Sequence, residues 1–350
     1  MRPVQPVRHL VSISDLTDGD LQRLVRRGVD YADGRVAARY RPLDGRVVAV
    51  YFRRTSTRTR TGFSSGALRL GAQLVSYGPH DLQENTGETI EDTTRVLAAM
   101  LDGLVARTTG TTAELRALAS QDRMAVINAM SAAEHPTQAL ADLTTLWQRF
   151  GGVEGLRLLY LGEGNNTAAA LALALARWRG VELDLRTPPG YGLDETILRA
   201  AEADARRHGA AVVERHDTAG LPSAVDAVYT TRWQTTGTTK PDPGWRTVFA
   251  PFRVDEALMG RYPDAVFMHD LPAHRGEEVA GAVLDGPASI AFVQAENKLH
   301  SAMAVLEWCL CPAERVERER HPAPAEQARG AGHHPRQPVR ADGDGEVTKP

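Results

Sequence analysis

The chain has 350 residues, of which 42% belong to the hydrophobic set, 24% are charged and 6% are aromatic, and its formal net charge is −3. That balance suits a globular chain with enough core for two ordinary domains, and it leaves no general basic field to hold nucleic acid. The longest apolar run, Ala168 to Ala176, is too short to span a bilayer, so no membrane association is expected. No apolar leader follows Met1, and Cys309 and Cys311 lie too close together for a domain-crossing staple, so a reducing cytoplasm is the expected compartment.

In chain order, Leu21, Leu24, Val25, Gly28, Val29 and Ala32 share one face of a helix beginning near Asp18. Val47 to Phe52 reads as a buried strand, followed by a helical stretch around Gly66 to Leu70 and a strand at Leu74 to Tyr77. Glu88 to Leu101 reads as helix, Gly103 to Ala106 as strand, Thr112 to Ala119 as helix and Val126 to Asn128 as strand. A longer helix, Pro136 to Phe150, ends at Gly151-Gly152. The pattern restarts at Leu156 to Leu161 with a helix after Asn166. Strands at Val181 to Leu185, Ala211 to Val213, Ala227 to Tyr229 and Val266 to Met268 then alternate with further helices.

Strand–helix alternation of this kind predicts an α/β protein with two parallel-sheet domains covered by helices on both faces. The expected division is 1–150, 151–288, and a helix in 289–312 that crosses back to the first domain. From Ala313 onward the chain is rich in Pro, Gly and charge, its large apolar residues being Val316, Val339 and Val347, and 313–350 reads as a disordered tail. The His333-His334 pair there reads as solvated tail before it reads as a metal site. Only Lys240, Lys298 and Lys349 are lysines among 41 basic residues, so a retained lysine is informative.

Chemistry is expected just beyond the strand ends, where ligands sit in such sheets. The run Arg53-Arg54-Thr55-Ser56-Thr57-Arg58-Thr59-Arg60 follows a buried strand and opens a helix. Hydroxyls, guanidinium forks and the free N–H groups of a helix N-terminus all favour an anion there, the alternative being a capped surface helix with solvated arginines. Glu134-His135-Pro136-Thr137-Gln138 occupies a second strand-to-helix junction, with His135 and Gln138 one turn apart and able to face one ligand. His269-Asp270-Leu271-Pro272-Ala273-His274-Arg275-Gly276-Glu277-Glu278 follows a third strand, where the stiff Leu271-Pro272 turn fixes a carbonyl or side chain at the strand end.

These segments, in this order over about residues 10 to 310, resemble the aspartate/ornithine carbamoyltransferase family. Ser56-Thr57-Arg58-Thr59-Arg60 resembles its carbamoyl phosphate segment, Asp102-Gly103-Leu104-Val105-Ala106-Arg107 the stretch whose arginine grips the carbamoyl group, and His135-Pro136-Thr137-Gln138 its second signature. Tyr160-Leu161-Gly162-Glu163-Gly164-Asn165-Asn166 resembles the start of the amino-acid domain, and the run from His269 the ornithine branch's third signature. The resemblance implies transfer of a carbamoyl group from carbamoyl phosphate to an amine, with no metal and no organic cofactor. It implies trimers in which a loop of the adjacent subunit completes each site, with Gln83 in the place of the ornithine branch's donated glutamine. It implies that Ser56, Thr57, Arg58 and Thr59 hold the phosphate and that Arg107, His135 and Gln138 hold and polarise the carbamoyl group. Arg58, Arg107 and His135 are then the catalytic set. Lys298 stands where the ornithine branch has an arginine near the donor.

The acceptor half departs from the ornithine branch. Asp270 replaces its cysteine, as either a partner for a cation or a helix cap. Thr231 replaces its aspartate for the α-amino group, and Thr235-Thr236 replace Ser-Met. Thr231-Arg232-Trp233-Gln234 is similar to the aspartate branch, whose Arg and Gln contact substrate, so Arg232 and Gln234 are expected at the acceptor, Arg232 on a carboxylate unless it faces solvent. Asn166 is retained for the α-carboxylate, and Leu271 completes the acceptor set. Ornithine is therefore not the expected acceptor; a related amino acid such as 2,3-diaminopropionate is.

Three rival classes remain on the residues. Gly162-Glu163-Gly164 hints at a nicotinamide site, but Thr167 fills the third glycine's place. His269, Asp270, His274, Glu277 and Glu278 are potential metal ligands, but without zinc-site spacing. The acceptor substitutions also suit a non-catalytic carbamoyl phosphate-binding homologue.

Overall fold

A computed structural model describes residues 7–82, 86–235 and 238–312. Gln83, Thr236 and the expected tail 313–350 lie outside the described residues. Thr17 opens α1 (Asp18–Ala32) by accepting from the Asp20 amide, a cap that satisfies a free N–H of the first turn. There follow β1 (Val47–Phe52), α2 (Arg58–Arg69), β2 (Gln73–Tyr77), α3 (Ile90–Met100), β3 (Gly103–Arg107), α4 (Thr112–Leu118), β4 (Ala125–Met130) and α5 (Pro136–Phe150). Pro136 sits in the first turn of α5, where its missing N–H costs nothing, and Gly151 ends the helix at φ 79°. The second half contains β5 (Arg157–Leu161), α6 (Asn166–Leu175), β6 (Glu182–Arg186), α7 (Glu195–His208), β7 (Ala211–Arg215) and β8 (Ala227–Thr230). It ends with α8 (Trp245–Phe249), α9 (Glu256–Gly260), β9 (Val266–His269), α10 (Gly281–Leu284) and α11 (Ala291–Leu310). None of the described helices is long and apolar enough to cross a membrane.

The strands form two wholly parallel sheets, ordered β2-β1-β3-β4 and β7-β6-β5-β8-β9. The expected architecture of two parallel-sheet α/β domains is present. β3, β4 and β8 are buried along their whole length, as strands covered on both faces must be, whereas β2 and β7, each at one edge, expose part of their length to solvent. Strand order reverses between β1 and β3 in the first sheet and between β5 and β8 in the second. Crevices open at such reversals beyond the carboxyl ends of the strands.

α11 packs against α1, α2 and α5 and also against β9, and so ties the second sheet to the first. The expected apolar face of α1 is buried except for half-buried Ala32, but it also buries Arg27. Arg27 forks onto Glu307 of α11, with Nε to Oε2 at 2.8 Å and Nη2 to Oε1 at 3.0 Å, while the Tyr31 and Tyr40 hydroxyls donate to the same carboxylate. Burial and the Glu307 charge push both phenols far above their ordinary range. Removing one partner of such a pair strands the other charge in the core. Arg27→Ala is therefore expected to lower stability by about 3–5 kcal/mol, read as a fall in the urea midpoint.

Candidate active site

Both crevices open into one cavity of about 250 Å³ between the domains. The first wall begins where β1 turns into α2. Thr57 is the residue before the helix and makes no side-chain cap bond, so the capped-helix alternative does not apply and the N–H groups of the first turn carry no such cap. Thr55, Ser56, Thr57, Arg58 and Thr59 line the cavity at this point. The neighbouring arginines turn away: Arg53 pairs with Glu114, and Arg60 donates to Ser76 Oγ at 2.6 Å. β3, beside β1, ends in Arg107, whose Nη1 donates to Thr59 Oγ1 at 3.3 Å and whose buried Nε has no hydrogen-bond partner. Burial pushes the Arg107 guanidinium down to about 10, against the opposing pull of Asp270, and lowers Arg58 for the same reason.

His135 lines the same wall at the start of α5, its backbone N–H bonded to Asn166 O at 3.0 Å and Thr137 Oγ1 3.3 Å from Nδ1. Complete burial, reinforced by Arg107 and Lys298, holds its pKa well below 6.5, so the imidazole is neutral at physiological pH and offers one N–H donor. Gln138 does not line the cavity. It is buried behind His135, with Nε2 donating to Asp142 Oδ1 at 2.7 Å and Oε1 left without a partner. Lys298, on α11, reaches the cavity and donates from Nζ to Asp270 O at 2.8 Å. Burial lowers its ammonium to about 8.

The second wall is built from the ends of β5, β8 and β9. Asn165 caps α6 by accepting from the Thr167 and Ala168 amides, and its Nδ2 donates to Thr231 Oγ1 at 3.1 Å. Asn166 donates to Ser131 O at 2.7 Å. Thr231, Arg232, Gln234 and Thr235 all line the cavity. Arg232 is half-buried, its Nε enclosed without a hydrogen-bond partner, so it is not a solvent-facing arginine. Gln234 spends its Nε2 on Thr238 O at 2.6 Å, and Thr235 donates to Glu163 Oε2 at 3.3 Å. Glu163 Oε1 also accepts from Lys240 Nζ at 2.5 Å, and that ammonium lies 4.5–5.4 Å from the ring centroids of Tyr191, Phe249 and Trp245. This aromatic group, to which Trp233 belongs, backs the loop carrying Arg232.

Asp270 caps no helix. It projects from the end of β9 into the cavity, accepts from Thr167 Oγ1 at 3.2 Å, and is followed by Leu271 at φ 53° and a cis Leu271–Pro272 bond. The strained Leu271 is braced by its own N–H, which donates to His269 Nδ1 at 2.8 Å. That bond places the ring proton of His269 on Nε2, 3.2 Å from Glu278 Oε1. The cavity thus gathers Arg58, Arg107, Arg232 and Lys298 around the carboxylate of Asp270, the only acidic side chain among its described lining residues. The residues missed from sequence are Thr55, Met130, Asn165, Thr167 and Pro272. Asn165 carried a cap signal, whereas Met130 enters through a φ of 148° that nothing in its side chain announces.

The rival motifs serve other purposes. A Cβ on Gly164 would meet the Gly192 carbonyl carbon at 2.3 Å, so that glycine permits a close backbone crossing. His274, Glu277 and Glu278 do gather within 4.8 Å, but they do not line the cavity; Arg246 lies 3.4 Å from Glu277, and Glu278 Oε1 accepts from His269 and from the His274 amide.

The carbamoyl phosphate-binding domain model of the aspartate/ornithine carbamoyltransferases matches residues 8–148, and their Asp/Orn-binding domain model matches residues 154–309. An ornithine carbamoyltransferase of Methanothermobacter thermautotrophicus is 37% identical over 305 residues, covering 87% of this chain and 99% of its own length. One of Parafrankia sp. is 39% identical over 310 residues, covering 87% of this chain and 96% of its own. Among solved structures, the ornithine carbamoyltransferase of Pyrococcus furiosus superposes with a TM-score of 0.81 at 35% identity, over 87% of this chain and 97% of its own. With both domains matched in order and their facing ends converging on a cationic cleft, the chain belongs to the aspartate/ornithine carbamoyltransferase family.

Proposed function

We propose that the chain transfers the carbamoyl group of carbamoyl phosphate to a primary amine of a small amino acid other than ornithine, giving a ureido product and phosphate. The observation that carries this reading is the charge inventory of the cavity: a surplus of cations on the first wall suits a phosphorylated donor, and the opposite charges of Asp270 and Arg232 on the second suit a zwitterionic acceptor. The phosphate rests on the α2 N-terminus, Ser56, Thr57, Thr59 and Arg58, with Lys298 beside it. Arg107 and the neutral His135 donate to the carbonyl oxygen, with Gln138 packed behind His135. The acceptor's neutral amine attacks the carbamoyl carbon, the oxyanion that forms is held by those donors, and the C–O bond to phosphate breaks with its electrons leaving on phosphate. The amine's proton leaves with the phosphate.

Ornithine suits this second wall poorly. Neutral Thr231 offers its α-ammonium no counter-charge, and a carboxylate at Asp270 would keep its side-chain amine protonated. Two amines on adjacent carbons, as in 2,3-diaminopropionate, repel one another's protons, so one stays on Asp270 as ammonium while the other attacks. Arg232 and Asn166 then take the carboxylate. An enzyme of arginine biosynthesis has to accept ornithine, so this reading places the reaction in a secondary-metabolic, antibiotic-type pathway. A trimer whose sites are completed by Gln83 of a neighbouring copy belongs to the same reading. The second reading, ordinary ornithine carbamoyltransfer, is favoured by the names of the relatives and by Asn166.

Phosphate release from carbamoyl phosphate and a panel of amino acids decides between them, and fastest turnover on ornithine at ordinary saturation defeats the first. Arg58→Ala is expected to cut turnover roughly 100- to 1000-fold while the fold survives. Arg232→Ala is expected to raise the acceptor KM about 10-fold or more without moving the donor KM, and an unchanged acceptor KM removes Arg232 from the acceptor site. Lys298 carries its charge below its pKa of about 8 and loses it above, so kcat/KM for the donor is expected to fall on an alkaline limb near that pH. Lys298→Arg is expected to abolish the limb.

A further inference from the structure

A carboxylate facing several cations ordinarily swings onto one of them, and Asp270 does not. Its charge is felt by Arg58, Arg107 and Lys298, opposing the effect of burial at each, yet no arginine or lysine pairs with its carboxylate among the described residues. Lys298 takes the Asp270 main-chain oxygen instead, at 2.8 Å, and the next N–H, that of Leu271, is spent on His269 Nδ1. The main chain is thus held on both sides of the carboxylate, and rotation of the side chain alone decides which wall of the cavity it joins. His269 does not decide it: its Nδ1 stands 3.5 Å from Asp270 Oδ1, but that nitrogen already accepts the Leu271 proton and has none to give.

The decision falls to Thr167. It is the second residue of α6, it is 2% exposed, and it lines the cavity. Its N–H donates to Asn165 Oδ1 at 3.0 Å and its Oγ1 to Asp270 Oδ2 at 3.2 Å, the only hydrogen bond that this carboxylate receives among the described residues. The bond draws Asp270 to the second wall and leaves Oδ1 without a donor. We propose that Thr167 is a positioning residue that keeps the opposite charges of the two walls apart: its hydroxyl retains the Asp270 carboxylate on the second wall, open to the acceptor's ammonium, and off the guanidinium groups that the phosphorylated donor needs. Without that hydroxyl, the carboxylate crosses to Arg58 or Arg107 and competes with the donor for its own anion site. The inference rests on the donor and acceptor reading above.

The test is a double-variant cycle read by calorimetry with phosphonoacetamide, a stable stand-in for carbamoyl phosphate that needs no acceptor. Thr167→Val keeps the shape of the side chain and removes its hydroxyl, and it is expected to weaken phosphonoacetamide about 3- to 10-fold. In an Asp270→Asn chain the same substitution has no charge to release, and it is expected to change the affinity by less than about twofold. Thr167→Ser keeps the hydroxyl and should bind as the wild type does. In turnover with 2,3-diaminopropionate, Thr167→Val is expected to raise the acceptor KM roughly 10-fold or more, the loss that follows when a hydrogen bond to a charged group is removed, and Thr167→Ser should restore it. Should Thr167→Val fail to fold, Thr167→Ala supplies the same cycle. Unchanged phosphonoacetamide affinity in Thr167→Val overturns the inference. A loss that persists in the Asp270→Asn chain, or that Thr167→Ser shares, assigns Thr167 a merely structural role and overturns it too. Fastest turnover on ornithine defeats the acceptor reading, while the calorimetric cycle still decides the role of Thr167. A wild-type chain that does not bind phosphonoacetamide overturns the donor reading, and the inference with it.

Discussion

Cations crowded into a half-enclosed space repel one another and resent the loss of water, and the cleft between the two sheets is organised around that tension. Arg107 and Lys298 titrate below their ordinary values because burial disfavours their charged forms, while Asp270 pulls the other way. One carboxylate does not balance them, so the lining of the cleft carries a surplus of positive charge. Two successive parallel sheets face their carboxyl ends at one another, and the loops at those ends are where the cationic side chains can converge.

Holding such a cleft open in one geometry requires a rigid frame behind it. α11 supplies much of it. Glu307 near its end is clamped by Arg27, Tyr31 and Tyr40, Gln294 near its start is tied to Asp142 and to the His269 amide, and Lys298 between them reaches the cavity. The two walls are thus registered through one helix, and a small shift of α11 would displace Lys298 and the end of β9 together.

The fold was largely legible in the sequence because it is written in short-range patterns. The run Val47–Phe52, the Pro136 start and the Gly151 stop of α5 each obey local rules that the structure repeats residue for residue. The cleft was legible where chemistry follows a strand end, as at Ser56 to Thr59, Arg107, His135 and Asp270. What stayed hidden was long-range. Arg27 and Glu307 are 280 positions apart, and each alone reads as an ordinary polar residue on a helix. Asp142 sits one turn from Gln138 on the buried side of α5, and its other partners, Tyr229 and Gln294, lie on distant elements. Met130 and Leu271 enter the cleft through positive φ angles imposed by the surrounding structure.

The enclosed ammonium of Lys240 gives the second wall a property of its own. It stands 5.4 Å from the ring of Trp245, which packs edge-on against Trp233, the residue following Arg232. Indole emission responds to a neighbouring positive charge and to ring packing, so these tryptophans form a built-in optical gauge of the loop on which Arg232 is mounted. A ligand that draws on that guanidinium can be followed by the light the chain itself emits, with no label attached.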